Sequence, residues 1–157
     1  MKPMVRIRRF RMGEEAALFG VFYSAVHRVA RQDYTDQQVN AWAPSDLDQA
    51  LWASHIRGLN PFVAEMEGGP VGYADLQPGG EIDHFFVSGF RPREGIGHRL
   101  MVRIDQQAEA LGLRELHAEV SRTAQPFFAK YGFSVIEHNV RTVRGVALCN
   151  ALMRKRL

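Results

Sequence analysis

The chain of 157 residues has a single cysteine, Cys149. That excludes an internal disulfide framework and any zinc or iron–sulfur site built on several thiolates, and it suits a reducing compartment. Long apolar runs are missing too. Nothing approaches the roughly 20 apolar residues of a membrane-spanning helix, and the opening MKPMVRIRRF has basic residues without the apolar stretch of a secretory signal. The expectation is a soluble, cytoplasmic protein with no membrane partner. Internal repeats, low-complexity tracts and linkers are absent, so residues 1–157 read as one domain. An excess of charge of one sign is also lacking: Lys+Arg 20 against Asp+Glu 17 leaves +3. The basic runs Arg6–Arg11, Arg91–Arg99 and Arg154–Arg156 lie far apart, whereas nucleic-acid binders cluster such charge in stripes with aromatic residues between. A small anion fits better than a polyanion, and no nucleic-acid partner is expected.

What is present suffices for a core. The apolar fraction of 46% and charged fraction of 24% are those of a globular protein. A chain of this size buries roughly 70% of its unfolded surface without needing disulfides or metal. Val5–Phe10 suits a short first strand. From Glu14 to about Ala30, apolar residues at Leu18, Val21, Phe22, Ala25, Val26 and Val29 recur at helical spacing. A second helix runs from Thr35 to Trp42. Ser45 with Asp48 resembles a capping arrangement for a third helix reaching about Ile56. Pro61–Glu67 and Pro70–Gln77 form a hairpin about Gly68-Gly69, and Glu81–Val87 is the next strand. Ile96, Leu100, Ile104, Ala108 and Leu111 share one helical face that ends at Gly112. Arg114–Val120 is a strand and Ala124–Tyr131 a short helix. Ser134–Thr142 and Val146–Met153 make a final hairpin turning at Arg144-Gly145. The order implies an α+β or α/β fold around one mixed, mostly antiparallel sheet with a β–α–β unit in its middle.

The most informative stretch is Glu81–Leu100, a strand, a glycine-punctuated basic loop and a helix. Gly95 and Gly97 open the helix where free N–H groups and the positive end of the dipole converge, and Arg91, Arg93 and Arg99 supply countercharge. This suits a pyrophosphate; it equally suits a bare tight turn. A P-loop would need Lys-Ser/Thr where His98-Arg99 stand, and a Rossmann fingerprint would need glycine where Leu100 stands. Histidines at i, i+3 or i, i+4 are lacking, so a helical metal site is not expected.

EIDHFFVSGFRPREGIGHRLM resembles the acetyl-CoA-binding core of the GNAT superfamily of N-acyltransferases, and FFAKYGF, Phe127–Phe133, resembles its later helix-and-turn motif. DYTDQQVNAW and LCNALMRK are similar to a bacterial subgroup of uncharacterised members, and the order of elements matches over nearly the whole chain. The resemblance implies a seven-stranded, mostly antiparallel sheet flanked by helices, splayed between its fourth and fifth strands to admit acetyl-CoA. It implies an N-acetyltransferase acting on a primary amine of a small molecule or peptide, without metal, as monomer or homodimer. The alternative is a non-catalytic acyl-CoA-binding regulatory module.

Carried over, main-chain groups of Phe85, Phe86 and Val87 would bond the pantetheine arm as an extra strand does. The amides of Arg93, Glu94, Gly95, Ile96, Gly97 and His98 would cradle the pyrophosphate, with Thr123 and Phe128 completing the cofactor side. Pro92 stands where the family favours Gln or Arg, and Arg93 replaces a common glycine. Phe128 aligns with the tyrosine often used as general acid; Tyr131, a helical turn on, is the substitute, unless it packs and water assists the thiolate. Amine attack needs a neutral nucleophile, and Glu81 matches a common position of the catalytic carboxylate. Asp83 shares its strand face; the pair either removes a proton or holds a cationic substrate. Glu81 also suits a solvated strand edge. His84 reads as a packed histidine and Cys149 as core. His27, Tyr34 and Trp42 are expected on the acceptor side, although Trp42 and Tyr23 equally suit a core.

Overall fold

A computed structural model describes residues 4–157; Met1–Pro3, the start of the basic N-terminal stretch, lie outside the described residues. The first sheet has the order β1 (Arg6–Arg9), β2 (Phe62–Met66), β3 (Gly69–Ala74) and β5 (Phe85–Val87), all antiparallel. The second has the order β4 (Glu81–Ile82), β6 (Glu115–Ser121), β8 (Val146–Arg156) and β7 (Ser134–Val143), with only β4 and β6 parallel. Alternation along β2 directs Phe62, Ala64 and Met66 to one core and Val63 to another. The first core lies under α4 (Ile96–Ala110) and α5 (Gln125–Lys130) and takes in Leu116, Ala118 and Val120 of β6. The second lies under α1 (Glu15–Ser24) and α3 (Gln49–Leu59), which meet through Trp52 Nε1 donating to Glu15 O at 2.7 Å.

The mixed α+β architecture and the splay agree with the expectation. The single seven-stranded sheet does not describe the arrangement in detail, because the run Glu81–Val87 is divided into β4 and β5, which pair with different sheets. The reason lies in Asp75, whose carboxylate is fully buried. It accepts the backbone N–H of His84 at 2.6 Å and of Asp83 at 3.1 Å, so the N–H groups of these two residues bond a side chain instead of a neighbouring strand. Pairing with β6 therefore stops at Ile82↔Ala118, and the two strands diverge beyond it.

The helical reading of Glu14–Ala30 also needs correction. α1 ends at Ser24 and continues as a π turn, Ala25–Val29, and a 3-10 turn, Ala30–Gln32. Apolar spacing barely changes across a single wide turn, so the sequence period conceals it. α2 (Asp36–Trp42) begins in a full capping box between Thr35 and Gln38. α3 is capped by Asp48, whose carboxylate accepts from Ala50 and Leu51 N–H; Ser45 has no part in the cap.

Candidate active site

The site grows from the divergence of β5 from β6. In the β3–β5 pair, Asp75 N–H donates to His84 O and Ser88 N–H to Val71 O, which puts Phe86 in the hydrogen-bonded register opposite Tyr73. Alternation then turns the main-chain groups of Phe85 and Val87 away from β3, toward the side where β6 has parted. Beyond Ile82 no strand among the described residues pairs with that edge. It is a ready acceptor and donor row for an extended, amide-bearing ligand.

The loop after β5 lies where that row ends. Gly89 carries it past α1 at a spacing no side chain permits, since a Cβ there would strike the Ser24 carbonyl oxygen and lie 2.9 Å from Arg28 Cβ. Arg93 and Gly95 both take left-handed backbone, φ +58° and +77°. The glycine common in the family at the position of Arg93 thus has a conformational reason, and arginine tolerates it at roughly 1–2 kcal/mol. Arg99 N–H is the first to find a helical carbonyl, Gly95 O, leaving the N–H groups of Ile96, Gly97 and His98 free at the start of α4. The side chain of Ile96 is core, so this residue offers only its amide. The arginines are less available than their clustering suggests. Arg91 is paired with Glu67 at 3.2 Å and approaches Glu94 at 3.7 Å, and Arg99 donates to Val5 O. Arg93 has no such partner among the described residues.

On the other side of β5 lies a cavity of about 520 Å³. Its aromatic wall includes Phe22, Tyr34, Trp42, Trp52 and Phe86; its polar groups include His55, Glu81, Asp83, Glu119, Arg141 and Asn150. Glu81 and Asp83 are brought together there, as strand geometry leads one to expect, and share a second hollow of about 510 Å³ with Glu119. Asp83 also lines a narrow space of about 60 Å³ at the divergence itself, bounded by Phe85, Ala118, Ser121 and Phe128. It is thus common to the cleft and to the larger cavity. His55 Nε2 lies 3.1 Å from its Oδ2.

Behind Asp83, the buried pair Tyr73–His84 is joined at 3.0 Å between the hydroxyl and Nδ1. Burial drives His84 down to about 4, so its ring is neutral at pH 7. Burial likewise pushes the Tyr73 phenol and the Asp75 carboxyl up. The ligating atoms of His55, Asp83 and His84 lie within 4.8 Å of one another, close enough to suggest a metal. The hydrogen-bond inventory argues otherwise. Tyr73 is fully buried and its only partner among the described residues is His84 Nδ1. Nδ1 must therefore accept the phenol proton, which leaves Nε2 protonated and without the lone pair a ligand needs.

Several expected site residues lie elsewhere. His27 stacks on Tyr23 with ring centroids 4.0 Å apart, and its Nε2 sits 2.7 Å from Ala43 O. It braces the α2–α3 connection and lines none of the three cavities. Tyr131 places its hydroxyl 2.7 Å from His98 Nδ1 and packs on Phe127, so it sits beside the start of α4 and not in the cavities. Phe128 does face the cleft, and carries no proton to give. Tyr34 is at the cavity, but its hydroxyl is committed to Cys149 O at 2.6 Å and to Arg122 N–H at 2.9 Å. Thr123 Oγ1 is occupied by Asp33. Among residues the sequence did not single out, His55, Glu119, Arg141 and Asn150 join the cavity and Asp75 shapes it. Asp75 and Asn150 had a signal, a lone polar residue in an apolar strand.

A sheet edge freed beside a glycine-opened helix start, with carboxylates at the point of divergence, is the arrangement that the resemblance to an acetyltransferase fold leads one to expect. Comparison with known proteins agrees. The family model described as an acetyltransferase (GNAT) domain matches residues 30–157. An uncharacterised N-acetyltransferase of Escherichia coli K12, YafP, is 30% identical over 96% of this chain and 95% of its own length. A crystal structure from Rhodopseudomonas palustris, described as a GCN5-related N-acetyltransferase and as "Aminotransferase, Class-II", superposes with a TM-score of 0.93 at 28% identity, covering 100% of this chain and 99% of that one. The PaiA N-acetyltransferase of Thermoplasma acidophilum, solved with coenzyme A, shares the fold at TM-score 0.74 and 15% identity, over 98% and 99% of the two chains. The chain belongs to the GNAT family of N-acetyltransferases. No helix among the described residues is long and apolar enough to cross a membrane.

Proposed function

We propose that the protein transfers the acetyl group of acetyl-CoA to a primary amine of a small molecule or peptide, by direct attack of the amine on the thioester. One observation carries this reading: the free edge of β5 runs from the carboxylate-lined space, at Phe85, to Val87, which lies against Gly97 among the free amides that open α4. Acetyl-CoA supplies the activated acetyl group when bound. Ile96, Gly97 and His98 N–H, with Arg93, fit the pyrophosphate, and the main-chain groups of Phe85 and Val87 fit the pantetheine amides. Since Phe86 is bonded to Tyr73, the N–H groups of Phe85 and Val87 are the donors left on β5, one of them to steady the charge that develops on the carbonyl oxygen. Asp83, with Glu81, takes the amine proton directly or through water. Water serves the departing thiolate, because Phe128 has no proton and Tyr131 is turned to His98.

The test is acetyl-CoA consumption across a panel of amines with wild type, Glu81→Gln, Asp83→Asn and the double variant. The double variant should lose about 10²–10⁴-fold in kcat/KM with acetyl-CoA affinity retained. An unchanged rate would remove the base assignment. Acetyl-CoA binding with no amine acetylated would make the protein a non-catalytic acyl-CoA-binding module.

A further inference from the structure

The charged residues of the larger cavity fall into two groups. Glu81, Asp83 and Glu119 stand at the divergence of β5 from β6. Arg141 and Arg144 line the same cavity from the β7–β8 hairpin. Register separates them: Glu119 is paired with Leu152 of β8, whereas Arg141 is paired with Leu148, nearer the turn. A plain amine would be served by the carboxylates alone, so the arginines call for a ligand group of their own.

Neither arginine is used up internally. Arg141 is mostly exposed and forms one solvent-exposed ion pair, Nη1 to Glu119 at 3.6 Å, which leaves its other N–H groups without a partner among the described residues. Arg144 gives Nη1 to Ala41 O at 2.8 Å, which ties the hairpin tip to α2, and has no carboxylate partner among the described residues. Its remaining N–H groups keep the planar fork that suits a carboxylate. Between the two groups, on β8, Asn150 lines a hollow shared with Asp83, Glu119 and Arg141 and has a buried Oδ1 with no partner among the described residues. An orphaned acceptor beside carboxylates favours an N–H donor. The approach of Arg141 to Glu119 sets the two poles side by side, as an amine and a carboxylate stand on one carbon atom. The aromatic wall of Phe22, Trp42 and Trp52 adjoins both.

From this we infer that the acceptor is a zwitterion: an amino acid with an apolar or aromatic side chain, its amine at Asp83 and Glu81 and its carboxylate at Arg141 and Arg144. The inference rests on the acetyltransferase reading and adds the substrate class. The experiment compares L-phenylalanine with 2-phenylethylamine, and L-leucine with 3-methylbutylamine, by thiol release from acetyl-CoA. Wild type, Arg141→Gln and Arg144→Asn are used, asparagine being suited to the left-handed backbone of the turn, where φ is +47°. The readout is the ratio of kcat/KM within each pair; the different basicity of the two amines enters that ratio equally for every protein and cancels in its change between proteins. Wild type should favour the amino acid by about tenfold or more, and each variant should cut that ratio at least about threefold while binding acetyl-CoA unchanged. Equal or better use of the decarboxylated amine overturns the inference, as does a ratio that neither variant alters. In both cases turnover still supports the acetyltransferase reading. Bound acetyl-CoA with none of the four probes, nor any amine of the wider panel, acetylated overturns both.

Discussion

Replacing Asp75 by alanine tests whether a single buried carboxylate holds the cleft apart. The side chain accepts from His84 N–H at 2.6 Å, from Asp83 N–H at 3.1 Å and from Gln77 Nε2 at 2.8 Å. Alanine strands two backbone donors in a part-buried setting at about 1–3 kcal/mol each. Relief of the carboxylate's own burial, which raises its pKa, offsets part of this. The net expectation is a loss of about 2–4 kcal/mol in urea denaturation, or roughly 5–15 °C in melting temperature for a chain of this size. Asp75→Asn should cost only about 1 kcal/mol. Its amide oxygen can still accept both backbone N–H groups at the Oδ1 position, while the Gln77 amide must turn and give up its 3.3 Å bond to Leu59 O. Both variants should also weaken acetyl-CoA binding, alanine more, because Asp83 and His84 are freed to pair elsewhere. The pH dependence has a definite sign. A carboxyl whose folded pKa lies above its ordinary 3.8 binds its proton more tightly when folded, so its contribution is full below 3.8 and is lost as pH rises through the raised value. Asp75→Asn removes that slope. Alanine within about 0.5 kcal/mol of wild type, or asparagine less stable than alanine, would refute the reasoning.

Two further outcomes are expected. His84 has the opposite linkage to Asp75: lowered to about 4 from an ordinary 6.5, it contributes stability that is present above 6.5 and lost as pH falls through 4. His84→Gln, which can still accept from Tyr73, should flatten the stability profile between those values, and an unchanged profile counts against a buried neutral ring. Gly89→Ala forces a Cβ onto the Ser24 carbonyl oxygen and to 2.9 Å from Arg28 Cβ, so either α1 or the anion loop must move. We expect a loss of about 1–3 kcal/mol by chemical denaturation together with weaker acetyl-CoA binding; normal values for both would show that the loop approaches α1 less closely.

Much of the fold was open to reading because it is written in local pattern. Apolar spacing located α4, strand-like runs located β2, β3 and β6, and left-handed turns close the hairpins at Arg144-Gly145, as expected, and at Glu67-Gly68, one residue before the expected Gly68-Gly69. The start of α4 and its free amides were legible for the same reason, since a helix end and its glycines are neighbours in the chain. Asp83 and Glu81 could be put on one face because a strand has period two. None of this depends on distant residues.

What distant residues decide was not legible. The division of Glu81–Val87 into β4 and β5 turns on Asp75, and the wide turn at Ala25–Val29 follows a helix that Gly89 approaches from outside. His55 meets Asp83 from α3, and Arg141 and Arg144 reach the cavity from the last hairpin. In the other direction, Tyr131 was drawn to His98 and His27 to Ala43, away from the roles their positions suggested. The sequence by itself determined the elements, their order and the glycine-opened start of α4, because those follow from propensities and periods spanning a few residues. Only the tertiary structure decided which side chains share the acceptor cavity. A cavity is bounded by elements far apart in the chain, and its polar lining is set by which buried groups find partners and which are left facing the space.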